Sequence, residues 1–409
     1  MTQSKYIYNF ALDDVEGSKK LIHKLGGKGA NLAEMCSLKI PVPPGFTIST
    51  EVCNYFLKNK RFPKGFKDSA LISIKKIENK LDCLFGGDKR PLLFSVRSGA
   101  RQSMPGMMET VLNVGLTPKT LLGLIRQTKD EKFVYDSYRR LIMMYSDVVM
   151  EKPNNINFEI REHLESILLK EKKTLNVVND SDLSVDALKK LCVIFKKEVL
   201  INLKAEFPDD PYEQLWSSIK AVFISWNGFR ARQYRKIENI PNEWGTAVTI
   251  QSMVFGNMGA QSATGVAFTR NPTNGLNQMY GEWLPNAQGE DVVAGIRTPF
   301  PINEESKNTL TKHKDTLEFK FPKIYNNLLS IKKTLEQHYR NMQDIEFTIQ
   351  NGTLWMLQTR NGKRNGQAAI KISLELFEDG LINLNELSNN INPDQIEEIM
   401  HPHFHPEKE

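Results

Sequence analysis

The chain has 409 residues, 40% of them hydrophobic and 25% charged, with a formal net charge of +6; it is too long for one ordinary core and holds no apolar run of the length that spans a bilayer, so membrane insertion is not expected. The positive balance is a lysine-rich surface: its densest cluster, Lys170, Lys172 and Lys173, is interrupted by Glu171 and has no aromatic residues interleaved for base stacking, which argues against a nucleic-acid partner. The first residues are polar rather than an export segment, and Cys36, Cys53, Cys83 and Cys192 are widely spaced with no C-x-x-C pair, so reduced thiols and a cytoplasmic location are expected.

In chain order, Leu25-Gly26-Gly27-Lys28-Gly29 reads as a glycine-rich loop that opens a short amphipathic helix over 30–35, stopped by Pro41, Pro43 and Pro44. Residues 91–96 predict a buried strand, and residues 97–106 a polar, basic loop with the character of a lid. From 118 to 207 strand signals give way to helical spacing, as at Leu141, Tyr145, Val148 and Val149, and predict a helical insert. Leu215, Ile219, Val222, Phe223 and Trp226 keep that period. Residues 246–255 then alternate, so a second sheet is expected to start at Thr246. Another strand is predicted over 264–269, a helix near 332–339, and a hairpin from 345–349 and 354–358. Beyond Asn365 a single helix, about 368–377, precedes a linker that carries His401, His403 and His405.

Alone, Gly26-Gly27-Lys28-Gly29 fails the G-x-x-x-x-G-K-[ST] phosphate-loop pattern, and such glycines serve any tight turn. A second loop carrying Arg97 and Arg101 among small residues changes the reading, because planar guanidinium groups clamp phosphate oxygens and two cationic loops point to a polyphosphate. A nucleoside triphosphate brings Mg2+, which takes hard oxygen ligands. Asp344 and Glu346 alternate with Ile345, Phe347 and Ile349, so one strand face is acidic and the other apolar; the alternative for the acidic face is a plain solvated exterior.

On the returning strand Gln358 and Arg360 share a face with Leu354 and Met356. A two-residue turn at Asn351-Gly352 would then put Gln358 on the Ile345 face, away from Glu346. A three-residue turn over 350–352, with Gly352 left-handed in a bulge, brings Asp344, Glu346, Gln358 and Arg360 together. The three-residue turn is the expectation, and Gln350 in regular register opposite Thr353 would overturn it. Leu354 and Met356 are expected to form an apolar floor for a purine, with ordinary core packing as the alternative.

Taken together, the runs at 25–29, 95–108, 265–272, 286–295 and 358–364 resemble the pyruvate phosphate dikinase family, in family order and over nearly the whole chain. The Ser103-Met104-Pro105-Gly106-Met107-Met108 run separates it from the related phosphoenolpyruvate synthases. The resemblance implies an α+β fold: an ATP-grasp nucleotide-binding domain with two sheet-containing subdomains and an inserted helical subdomain. Its divisions are 1–117 (first subdomain with the lid), 118–207 (helical insert), 208–246 (return to the first), 247–364 (second subdomain) and 365–409 (linker). It further implies that Lys28, Arg97 and Arg101 meet the phosphates, that a lid ending at Gly106 covers them, and that Arg97 and Arg360 are catalytic, Arg360 orienting the transferred group. Glu346 and Gln358 are implied Mg2+ ligands, Asp344 and Glu290 line the site, and Gln251 and Met253 lie near adenine.

The family reaction implied here splits ATP between its α and β phosphates, loads a histidine, gives the γ-phosphoryl to inorganic phosphate and passes the remaining phosphoryl to pyruvate, leaving AMP, pyrophosphate and phosphoenolpyruvate. Its chemistry is charge neutralisation and alignment. The complete enzyme is expected to be a homodimer. The family's acceptor histidine lies in a T-S-H-A sequence that none of the seven histidines here matches. The expectation is a fragment that binds Mg-ATP or AMP and does not turn over pyruvate by itself. Two other readings are the nucleotide domain of a phosphoenolpyruvate synthase, with water as γ-phosphoryl acceptor, and a non-catalytic ATP-binding module.

Overall fold

Six antiparallel strands form the frame of the N-terminal half in the computed structural model, which describes residues 5–154, 156–293, 298–308, 311–312 and 315–400. The chain divides into two units, Met1–Met253 and Val254–Glu409. The first runs β1 (Ile7–Ala11), β2 (Asp14–Val15), α1 (Ile22–Ser37), β3 (Gly45–Ile48), α2 (Thr50–Asn59), α3 (Phe66–Leu81), the short parallel pair β4 (Leu84–Phe85) and β5 (Pro91–Leu92), β6 (Phe94–Gly99) and β7 (Thr110–Val114). It continues with α4 (Pro118–Thr128), α5 (Glu131–Tyr145), α6 (Ile160–Thr174), α7 (Val185–Leu203), α8 (Pro211–Ser225), α9 (Phe229–Ile237) and β8 (Ala247–Ser252). The sheet order is β2-β1-β3-β8-β6-β7.

Residues 247–252 thus lie between β3 and β6 in the first sheet, and the second sheet does not begin at Thr246 as expected. Alternation marks a strand but not its partner, and this one pairs with segments about 150 to 200 residues earlier, which no local pattern encodes. Helix α1 packs across β1, β3, β6 and β8 through buried Leu25, Ala30, Leu32, Ala33 and Met35. Each large apolar side chain so buried contributes about 1.5–3 kcal/mol. Gly29 allows the close approach: a Cβ there would lie 2.6 Å from the Thr47 side chain.

Helices α4–α7 fill the span between β7 and α8, around Tyr138, Leu141, Leu188, Leu191 and Phe195. Their starts are written in the sequence. Thr117 and Asp210 each cap a helix with proline at its first position, and Asp130 and Ser184 accept the backbone N–H three residues on.

The second unit comprises β9 (Ala263–Phe268), β10 (Tyr280–Pro285), α10 (Gly289–Val293), β11 (Phe300–Pro301), α11 (Leu317–Lys320), α12 (Pro322–Tyr339), β12 (Gln343–Gln350), β13 (Thr353–Asn361), α13 (Gly366–Glu378), α14 (Leu384–Asn389) and α15 (Pro393–Met400). Its sheet order is β11-β10-β9-β12-β13, with every neighbouring pair antiparallel. Arg270, just past β9, binds Glu336 of α12 at 3.1 Å and Glu375 of α13 at 2.7 Å, tying both helices to the end of that strand. Residues 366–400, expected as a linker with one helix, hold three; α13 buries Ala368, Ile372 and Leu376 against Met342. His401, His403 and His405 lie outside the described residues. Among the described residues no helix is long and apolar enough to cross a membrane.

Candidate functional site

The hairpin of β12 and β13 corrects one expectation and, by a different route, arrives at its consequence. Gln350 pairs with Thr353, so the turn is the two-residue Asn351-Gly352 and not the expected three-residue loop. Both turn residues have positive φ, 48° and 76°, the pattern of a type I′ turn that asparagine tolerates and glycine favours. The register then shifts: Phe347 pairs with Met356 and Glu346 with Gln358, leaving Leu357 as an extra residue. That bulge restores the parity the turn removed. Asp344 pairs with Arg360, so Asp344, Glu346, Gln358 and Arg360 share one face.

The two-residue turn also removes the expected purine floor. Leu354 and Met356 pair with Ile349 and Phe347, and all four are buried in the apolar face of the hairpin. They are core residues. The doubled apolar pair Met356-Leu357 is the sequence signal that marks the change of phase.

Arg360 Nε donates to Asp344 Oδ2 at 2.7 Å, with the Asp344 side chain 12% exposed and that of Arg360 42%. Burial raises the Asp344 carboxyl above its ordinary value, Glu346 adds to the rise, and the bond from Arg360 opposes it. Glu346 and Gln358 are half-buried and face each other across the strands. A carboxylate and an amide oxygen so placed are hard donors of the kind Mg2+ takes, with its remaining positions left to ligand oxygens and water. Among the described residues no group of three or more His, Cys, Asp or Glu side chains is clustered for a metal.

In the first unit the glycine-rich run is not a loop ahead of a helix but a break inside α1. Gly26 has φ 64° and ψ 171°, a region essentially reserved for glycine, and a Cβ there would lie 1.8 Å from the Gly99 carbonyl oxygen. The helix restarts after it, which turns a fresh N-terminus toward the end of β6. The Gly27 N–H donates to the Ala100 carbonyl at 2.8 Å. Lys28, half-buried, stands in that first turn, and such a terminus favours anions. Arg97 lies on β6, opposite Thr249 on β8 and Thr110 on β7.

Arg101 follows in the loop between β6 and β7, its guanidinium 4.8 Å above the Trp244 ring and its Nε donating to the His23 carbonyl at 3.1 Å. Trp244 has no phosphate-site signature in the sequence, and its role under Arg101 appears only in the fold. Met104 seats this loop in an apolar cluster with Ala100, Trp226, Ala231 and Ile240, and Gly106 turns its outer arc with φ 70° in open space. Gln251 is buried, its Nε2 donating to the Pro43 carbonyl at 3.1 Å, and the Met253 N–H donates to Leu93 at 2.9 Å. Glu290 falls within α10, and its side chain lies outside the described residues.

The family model described as "Pyruvate phosphate dikinase, AMP/ATP-binding domain" matches residues 22–69, 57–325 and 301–380. The chain is 47% identical over 404 residues to the pyruvate, phosphate dikinase of Rhizobium meliloti, covering 98% of this chain and 44% of that protein. It is 45% identical over 407 residues to that of Clostridium symbiosum, again 98% and 44%, and 46% identical over 402 residues to a chloroplastic form from Arabidopsis thaliana, 98% and 40%. The chain therefore spans less than half the length of these relatives. By sequence and by match to its nucleotide-binding domain, it belongs to the pyruvate phosphate dikinase family.

Proposed function

We propose that this chain is the Mg-ATP-binding part of a pyruvate phosphate dikinase with an ATP-grasp arrangement, in which residues 118–207 form an inserted helical subdomain. The observation that carries the reading is the single face holding Asp344, Glu346, Gln358 and Arg360, because it joins two metal-type donors to a guanidinium held by its own carboxylate. Family membership supports ATP and AMP as ligands, with inorganic phosphate and pyruvate as substrates of the complete enzyme. Its four unpaired cysteines fit a reducing cytoplasm.

Each group has a physical task. Lys28, at a restarted helix N-terminus, and Arg97 neutralise phosphate oxygens. Arg101, pinned on Trp244, holds the root of a lid whose outer turn at Gly106 excludes water over those phosphates. Glu346 and Gln358 would hold Mg2+, which supplies charge neutralisation on the phosphates when bound. Arg360 orients the β-phosphoryl for transfer to the family's histidine, and Asp344 fixes Arg360 rather than touching the nucleotide itself. Gln251 and Met253 are assigned to the adenine side and Glu290 to the lining.

The test supplies ATP labelled at the β position together with a phosphohistidine domain of the family. Label on the histidine and release of AMP are expected with wild type and lost with Glu346→Ala. Transfer at the wild-type rate by Glu346→Ala would remove the metal assignment, and no transfer or nucleotide binding by wild type would remove the reading as a whole.

A further inference from the structure

Glu109 is the last residue of the loop between β6 and β7, three residues past the lid's outer turn at Gly106 and immediately before β7. Its carboxylate Oε1 accepts from Lys152 Nζ at 3.0 Å, with Arg230 Nη2 at 3.7 Å, and its own N–H donates to Ser225 Oγ at 3.3 Å. The same Lys152 ammonium donates to Asp147 Oδ2 at 2.9 Å. One lysine thus joins the lid's C-terminal root to the helical segment.

The backbone makes this link in an uncommon way. After α5 the chain widens into a π-helical turn, Ser146–Glu151, and the Lys152 N–H bonds to the Asp147 carbonyl five residues back. In an α-helix residues i and i+5 point to different sides, whereas the wider turn brings Asp147 and Lys152 together. Glu151 locks the turn from its far side, accepting the N–H groups of Phe158, Glu159 and Ile160 at 2.7, 2.6 and 2.8 Å. Asp147 is only 7% exposed, so its partner is held and not merely screened. The opposite root of the lid is fixed by the bond from Gly27 to Ala100.

We propose that Lys152 is a positioning residue for the lid: through Glu109 it clamps the second root, so that the arc from Arg101 to Met108 moves over the phosphates between two fixed ends. The proposal rests on the lid role assigned above, and it concerns nucleotide phosphates beyond the α position. Two variants test it. Lys152→Met removes the clamp and leaves Asp147 with only the longer ion pair to Arg161 Nη1 at 3.9 Å; Glu109→Gln weakens only the lid side. Trypsin cleavage after Arg101, measured without nucleotide, is expected to rise about fivefold in both, and ATP affinity to fall about fivefold while AMP affinity stays within about twofold, the scale of one charge-assisted bond. Lys152→Arg should restore both readouts.

Cleavage at the wild-type rate in Glu109→Gln would overturn the clamp, as would equal losses of ATP and AMP. If wild type bound no nucleotide, the functional reading would fail, and the cleavage measurement would still decide whether Lys152 holds the lid.

Discussion

Glu346 stands directly opposite Gln358 although a two-residue turn joins their strands, because Leu357 is carried as an extra residue between Met356 and Gln358. The pairing of a metal-type carboxylate with a metal-type amide therefore depends on residue count in β13 more than on the identity of the bulged side chain. Gln358→Leu is expected to weaken Mg2+-dependent ATP binding about tenfold, and Leu357→Ala to leave it within about twofold, when both are titrated calorimetrically. Equal effects would show that the bulge does not set the face.

Asp344 carries a raised carboxyl, so its protonated form is favoured by the fold relative to the unfolded chain. Its contribution to stability is complete below the ordinary carboxylate value and is lost as pH rises through the raised folded value. In urea unfolding across that window, wild type should lose stability relative to Asp344→Asn as pH rises. A difference that stays flat or runs the other way would contradict the burial of this carboxyl.

Gly26 occupies backbone that a side chain cannot share. Gly26→Ala is expected to cost about 1–3 kcal/mol from the conformation alone, with a further penalty because the new Cβ meets the Gly99 carbonyl. Chemical denaturation reads the loss. A variant as stable as wild type would mean that α1 is continuous there and presents no fresh N-terminus.

Burial pushes the thiols of Cys36, Cys53 and Cys192 up to about 12, and the half-buried Cys83 is raised as well, chiefly by burial. In the folded protein at pH 8 an aromatic disulfide reagent should therefore titrate Cys83 first, with the other three reacting on the timescale of unfolding. Rapid reaction of all four would contradict the packing around α1, α2 and α7.

Elements with a local signature were readable from the sequence, and pairings were not. The β12–β13 hairpin, the strand at 263–268, the helical run after Thr117 and α8 follow from period and caps that neighbouring residues encode. Whether β8 joins the first sheet depends on partners far away in sequence, and alternation is silent on that. The four-residue face follows from a different device than a three-residue turn: left-handed φ at Asn351 makes the tight turn available, and Met356-Leu357 absorbs the parity instead of Gln350. Lys28 and Arg97 were evident as motif residues, whereas the Trp244 stack under Arg101 and the Glu109–Lys152–Asp147 link join residues 43 to 143 positions apart in at least one contact each.

The proposed function is Mg-ATP binding, with Arg97 assigned to the phosphates. Calorimetric titration of wild type and Arg97→Ala with ATP, with and without Mg2+, addresses it most directly. Wild type should bind ATP more tightly with Mg2+ than without, and Arg97→Ala should lose about tenfold or more in affinity. Identical affinities for the two proteins, or binding indifferent to Mg2+, would contradict the account.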